Sequence, residues 1–461
     1  MLTNLNLNKN YEAIMTTTAF SDSLVERASA LVEAAKRAGA DAADAVVVSG
    51  RSLGVDVRLG KVEETNRSEN DGFSLRVFVG KRNASISAND ASAVDSLAER
   101  AVAMAKVAPE DPYTGLAQKH RLAIHFPDLE LFDETVVEAN ALAERARETE
   151  EAALAVAGVS NSGGASAGWG TGGLVLVTSD GFCGSYRSSS FSTSVSVVAG
   201  EGTGMERDYD FDSKRFLSDL NSPLEIGKGA GERAVKRLKP QKVATQTLSV
   251  IYDPRVSSGL VGHLAGAVNG AAVARKTSFL RADMGKPLFR PEVTIRDDPY
   301  RLRGLASRPF DGEGVEAHVL DIIEDGILKT WFLDTATAIE LGLETNGRAA
   351  RGGANPSPGR TNLTLLAGEK SPEEMMRDVG RGLYVTELIG SGVNLVTGDY
   401  SRGASGFWIE NGEISHPVSE ITIAGNLRDM FKRLIPANNL EYRFSMNAPS
   451  ILIENMAVAG R

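Results

Sequence analysis

The chain has 461 residues, 42% of them apolar, which is enough for two or three cored domains. Its 60 acidic and 50 basic side chains leave a formal charge of −10, so it lacks the concentrated cationic face that nucleic acid or an anionic membrane requires. One cysteine excludes an intrachain disulfide and a thiolate zinc cluster, and no apolar run reaches the roughly 18 to 20 residues of a bilayer span.

Residues 1–20 are rich in Asn and Thr without any period, and they are read as disordered or as an artefactual extension ahead of a start at Met15. They carry no secretory apolar core, which predicts a cytoplasmic protein. Order is expected from Ser21. Leu24, Ala28, Leu31, Val32 and Ala35 form one helical stripe, with Ser23 and Glu26 as a capping box and Gly39 as the stop. Residues 45–88 alternate, with turns at Gly60-Lys61 and Gly80-Lys81, and predict an antiparallel meander. Helices follow at 91–107 and 134–156, strands at 174–180 and 188–200, and a helix at 223–238. Lys239-Pro240 marks a boundary between an N-terminal domain, 21–240, and a C-terminal one, 241–461. The second half opens with a strand ending at Pro254, then a helical stretch of small residues from 257 to about 279. Short strands and glycine turns come next, with one helix at 371–384 capped by Ser371 and Glu374. The order of elements predicts an α+β fold: an N-terminal α/β domain with an antiparallel meander and a C-terminal β-rich domain with mostly antiparallel sheets.

Short motifs give little. GWGTGG at 168–173 matches a dinucleotide fingerprint, but it precedes a strand rather than a helix, and is read as a glycine loop between elements. Cys183 sits in a strand-like stretch and reads as a packed small hydrophobe. His120 and His125 are expected on opposite faces of an extended segment, His318 and His416 stand alone, and no H-E-x-x-H occurs. His263 is the remaining metal candidate. The loop 346–360 carries Arg348, Arg351 and Arg360, either as a carboxylate or peptide site or as a solvated loop. The segment 397–418 has small residues that let another backbone approach.

Longer segments say more. The stretches SSGLVGHLAGAVNGAAVARKTSFL (257–280), FLDTATAIELGLETNGRAARG (332–352) and GVNLVTGDYSRGASGFWIENGEISHPVSEITIAGNL (392–427) are similar to the TldD/TldE (PmbA) family, also called modulators of DNA gyrase, and to its TldE/PmbA side. The similarity runs from about Ser21 to the end. It implies a two-subunit cytosolic metalloprotease that matures peptide antibiotic precursors and degrades small unfolded proteins. In such a pair the TldD subunit holds zinc through H-E-x-x-x-H and a later cysteine.

Laid on that motif, Ser258 replaces the first histidine, Gly259 replaces the catalytic glutamate, and only His263 survives. No cysteine follows Ile435. Positions five apart stand about 140° from a common helix face, so the motif needs a distorted helix, which Gly262 permits. The resemblance therefore implies a chain with no catalytic residues and no metal of its own, with zinc in a TldD-like partner. Unfolded peptides would be contacted by Asp399, Ser401, Arg402, Gly403 and Arg351 and paired through the main chain to a sheet edge. The alternative is a self-contained homodimeric peptide-binding or scaffold protein. Neither reading involves nucleic acid or membrane.

Overall fold

Helix α1 (Asp22–Arg37) buries Leu24, Ala28, Leu31, Val32 and Ala35, the stripe seen in the sequence, and the chain leaves it through Gly39 at φ +100°. The computed structural model describes residues 22–90 and 93–460, so the reading of residues 1–20 lies outside it. Strands β1 (Ala42–Arg58), β2 (Lys61–Val79) and β3 (Arg82–Ala88) form the meander, turning at Gly60 (φ +75°) and Gly80 (φ +57°). Helix α2 spans Val94–Val107. Helix α3 spans Ala139–Leu154, five residues later than expected; the preceding segment runs extended, with Leu129 and Leu131 buried. Strands β4 (Val159–Thr178), β5 (Cys183–Ala199) and β6 (Glu206–Lys214) precede α4 (Pro223–Lys236), which Ser222 and Glu225 cap reciprocally.

These strands make one antiparallel sheet in the order β3-β2-β1-β4-β5-β6. Odd-numbered β1 residues face the helices: Val47 meets the α1–α2 pair, and Val55 and Val57 meet α3 and α4. Val46 on the other face packs with Leu176 and Phe182, and with Phe310 of the second half.

GWGTGG is not a loop. It lies inside β4, with Gly168 between Gly54 and Ser192, and Gly170 between Ser52 and Ser190. On this face the glycines present no side chain, and their neighbours across the strands are polar and mostly small. Four successive cross-strand rows on this face read Glu64–Asp56–Ser166–Ser194, Asn66–Gly54–Gly168–Ser192, Ser68–Ser52–Gly170–Ser190 and Asn70–Gly50–Gly172–Ser188. The first row borders a cavity of about 470 Å³ that continues to Tyr209 and Phe211.

The second half starts with β7 (Gln246–Tyr252). The expected helix at 257–279 is two, α5 (Pro254–Ala267) and α6 (Gly270–Ala274), because Asn269 interrupts the first and caps the second. Strands β8 (Ile295–Asp298), β9 (Leu320–Glu324), β10 (Ile327–Leu328), β13 (Asn362–Leu365) and β18 (Met446–Asn447) form a five-stranded sheet. Helix α7 (Thr335–Glu340) and the two-stranded pair β11 (Ala349–Ala350) and β12 (Ser357–Pro358) lie between its strands in the chain. Helix α8 (Pro372–Val379) has the expected Ser371–Glu374 box. It ends five residues early, because Gly380 takes φ +64° and Gly382–Ile389 becomes strand β14.

A six-stranded sheet completes the domain. It runs β16-β15-β14-β7-β19-β17, from β15 (Asp399–Glu410), β16 (Glu413–Asn426), β17 (Leu434–Pro436) and β19 (Ile451–Ala459), with α9 (Leu427–Arg433) beside it. Only the β7–β14 and β13–β18 pairs are parallel among the described strands, so the fold is α+β with mostly antiparallel sheets. No described helix is long and apolar enough to cross a membrane.

Charged side chains tie the halves together. Asp44 of β1 takes Arg351 at 2.5 Å, and Asp208 of β6 takes Arg255 at 2.7 Å; both carboxylates are buried.

Candidate functional site

Strand β7 delivers the chain to the site. Its last residue, Tyr252, is fully buried. Asp253 then caps α5, accepting from the Arg255 backbone N–H at 2.9 Å, and Pro254 fills the first helical position, where no N–H is needed. Leu260, Val261, Leu264 and Ala267 enter the core, which leaves Ser258, Gly259 and His263 half-buried. Gly259 and His263 are four apart and lie on one face, while Ser258 stands about 140° from His263 around the axis. The helix is continuous through these positions. The missing side chain of Gly262 admits the Met446 methyl, 3.0 Å from where a Cβ would sit. A Cβ at Gly259 would meet nothing within 4 Å. The position lacking a carboxylate is thus open space rather than a close-packed contact.

Strand β15 faces His263. The Tyr400 ring stands edge-on to the imidazole, centroids 6.0 Å apart. Tyr400 and Arg402 share one side of the strand, and Asp399 and Ser401 the other. Arg402 donates through Nε to the Ile389 carbonyl at 3.3 Å and forms no ion pair among the described residues. Burial, and then the Arg402 charge, hold the His263 pKa below the usual imidazole value, which favours the neutral ring. Burial raises the phenols of Tyr252 and Tyr400 above their usual range, in Tyr252 with help from Tyr400. The two hydroxyls face one another, sealed from solvent.

The other sequence candidates spread outward. Asp399 is exposed and accepts from Thr397 Oγ1 at 2.6 Å and Asn426 Nδ2 at 3.2 Å, bonds that hold its carboxyl below the usual range. Ser401 gives its N–H to the Gly392 carbonyl at 2.7 Å, and Gly403 pairs with Ile389. With β16 on the other side, the 399–403 backbone offers no free edge. A free edge exists elsewhere: β3 pairs with β2 only from Phe73 onward, so Lys61–Asp71 has β1 on one side and no described strand on the other.

Arg351 stands apart from His263. Its side chain is fully buried, and Nη2 donates to Asp44 and to the Ala354 carbonyl at 2.8 Å. Arg348 is likewise sealed on Asp297. His120, His125 and His318 are exposed, and His416 stacks on Trp408.

This donor set does not fit zinc. Among the described residues no three His, Cys, Asp or Glu side chains cluster, and His263 has the Tyr400 ring and the Arg402 charge beside it. Tyr252 and Tyr400 are the members that sequence reasoning missed. Tyr400 could have been found by alternation, two residues before Arg402; Tyr252 had no local signal.

Fold and site together define a two-domain α+β protein with a donor-rich, ligand-poor centre between α5 and β15. Three family models match it in order: PmbA/TldA metallopeptidase domain 1 over residues 43–105, the central domain over 132–238 and the C-terminal domain over 245–460. The chain belongs to the PmbA/TldD metallopeptidase family. The metalloprotease PmbA homolog of Haemophilus influenzae is 41% identical over 436 residues, covering 93% of this chain and 94% of that protein. The metalloprotease PmbA of Escherichia coli O157:H7 is 39% identical, covering 91% and 93%. A solved structure from Bacteroides thetaiotaomicron, described as a candidate modulator of DNA gyrase, superposes with TM-score 0.87 at 27% identity over 96% of this chain and all of that one. TldE from Thermococcus kodakarensis shares the fold, with TM-score 0.83 at 22% identity over 94% of this chain and 100% of that one.

Proposed function

We propose that this chain is the metal-free, non-catalytic subunit of a cytosolic TldD/TldE-type zinc metalloprotease acting on unfolded peptides, with the zinc held by a TldD-like partner. One observation carries the reading. Where a hydrolytic ion would be gripped, the chain presents Ser258, an open Gly259 and a single His263, with the cationic Arg402 beside it. A hydroxyl is a poor zinc ligand, glycine supplies no general base, and a guanidinium repels a divalent cation.

The side-chain-poor rows across β1, β2, β4 and β5 support a role in enclosing extended chains, because glycine and serine let another backbone come close. The free Lys61–Asp71 edge could extend such a chain's hydrogen bonding. The test is elemental analysis of the purified full-length chain, followed by a peptidase assay alone and with the zinc-bearing homologue. Expected are less than a tenth of an equivalent of zinc and activity only in the mixture. Stoichiometric zinc with activity in isolation overturns the proposal. A stable homodimer that never pairs with the homologue favours the scaffold alternative.

A further inference from the structure

Buried ion pairs join the N-terminal sheet to the second half at its β6 edge and again at β1 and β2. At β6, Asp208 holds Arg255 at 2.7 Å. Burial pushes that carboxyl up, but its arginines outweigh the effect and keep it below the usual range, so it stays ionised through neutral pH. At β1 and β2 the seam is built differently. Asp44 binds Arg76 and Arg351, each at 2.5 Å, and Arg76 Nη2 lies 3.8 Å from Glu313 across the seam. Asp44, Arg76, Asp311, Glu313 and Asp334 are all buried, and so is the Arg351 side chain.

The charges gathered here do not cancel. Asp44, Asp311, Glu313 and Asp334 supply four carboxyls, whereas Arg76, Arg351 and, acting on Asp311, Arg308 supply three guanidiniums. The neighbouring Arg348–Asp297 pair is balanced within itself. A surplus charge in a buried seam is costly, and one proton removes it. Hydrogen bonds favour Glu313 as its seat. Asp311 accepts the backbone N–H groups of Glu313, Val315 and Ala349 at 2.8, 2.9 and 3.0 Å. Asp334 accepts the Thr337 N–H at 2.9 Å and its hydroxyl at 2.5 Å. Glu313 accepts the Thr335 N–H at 2.8 Å, and its charge has the least support of the three.

We propose that the Asp44–Arg76–Arg351–Glu313 seam is a proton-controlled latch, which holds the N-terminal sheet against the C-terminal domain while the cluster keeps its proton and loosens when the proton leaves. The Asp208–Arg255 tie stays ionised and acts as the pivot. Burial, opposed by Arg76 and reinforced by Asp311, pushes the Glu313 carboxyl up to about 7, which puts the working range near neutrality. Loosening frees the β1 and β2 side of the sheet relative to the helix that carries His263. The latch is made of this chain's own residues and stands whether or not the chain serves a peptidase.

The test is hydrogen–deuterium exchange of the full-length chain, read by mass spectrometry from pH 5.5 to 8.5 and corrected for the intrinsic exchange rate. Residues 311–316 and 349–351 are expected to exchange about tenfold faster at pH 8 than at pH 6, with residues 246–252 of β7 unchanged. Glu313→Gln is expected to remove the step and to stay protected at both pH values. Asp334→Asn keeps a capping residue ahead of α7 and removes one negative neighbour, so its step is expected at lower pH than in wild type. Absence of a step in wild type overturns the proposal, as does a step that persists in Glu313→Gln or an unmoved midpoint in Asp334→Asn. Equal acceleration in β7 also overturns it, because the whole chain rather than the seam would then be loosening.

Discussion

Asp208 on β6 accepts a hydrogen bond from Arg255 Nη2 at 2.7 Å, and Arg255 belongs to the first turn of the helix that carries His263. The N-terminal sheet is thereby fastened to the candidate site itself. Arg237 of the first half adds a second bond to Asp208 at 3.3 Å and also reaches Glu387 on β14. Burial pushes the Asp208 carboxyl up, but Arg255 and Arg237 outweigh it and leave it below its usual range.

Asp208→Asn is therefore expected to destabilise the chain by about 3 kcal/mol at pH 7, since it strands Arg255 in a mostly buried setting, while Arg237 keeps Glu387. The folded-state pKa is depressed, so this contribution is present above the unfolded carboxylate value and lost only as pH falls below about 4. Urea unfolding at pH 7 and pH 3.5 checks both parts. Equal stability of wild type and variant at pH 7 would show the tie to be inert.

Glu313 behaves in the opposite sense. Burial, opposed by Arg76 and reinforced by the Asp311 charge, pushes its carboxyl up to about 7. Its folded form binds the proton more tightly than its unfolded form, so the associated stability is complete below about pH 4.5 and is lost as pH rises through 7. Glu313→Gln is expected to flatten this decline and to gain up to about 3 kcal/mol over wild type at pH 8, with little difference at pH 4.5. Melting curves at the two pH values decide; a gain of the same size at both would point to packing rather than titration.

Arg351→Ala removes one of the two guanidinium partners of buried Asp44, leaving Arg76. The expected loss is about 3 kcal/mol at pH 7, shrinking below pH 4 as the stranded carboxylate takes up a proton. The readout is denaturant midpoint against pH. A variant of unaltered stability but weakened peptide binding would return Arg351 to a substrate role.

Two glycines of the small-residue stretch are expected to respond with opposite sign. Gly259→Ala meets open space inside a helix and stabilises by about 0.5–1 kcal/mol. Gly270→Ala places its methyl 2.5 Å from the Phe332 carbonyl oxygen and costs about 1–3 kcal/mol. Calorimetric melting of the two variants side by side tests the assignment.

Local signals were legible in the sequence where one residue type dictates one backbone state. The turns at Gly60 and Gly80, the Ser371–Glu374 box and the α1 stripe all depend on neighbours within a few positions. What depends on pairing was hidden. Gly168, Gly170 and Gly172 look like loop residues alone and become strand residues only between β1 and β5. Residues 382–384 continue a helical pattern, yet β7 and β15 recruit them as a strand. At the site, His263 and Arg402 were visible because the resemblance pointed at their segments. Tyr252 and Tyr400 acquire meaning only when the strands bring their hydroxyls together. Arg351 looked like a binding residue because an arginine in a glycine loop gives no hint that Asp44, at the far end of the chain, will claim it.

The four rows of Gly, Ser, Asn and short acids across β1, β2, β4 and β5 have one more consequence. A surface with few protruding groups has little by which to tell one polypeptide from another, since what it can sense is the repeating amide rather than the residue. If the chain encloses polypeptides as proposed, any choosiness toward them must therefore come from a few salient groups elsewhere, and the wall itself is indifferent to sequence.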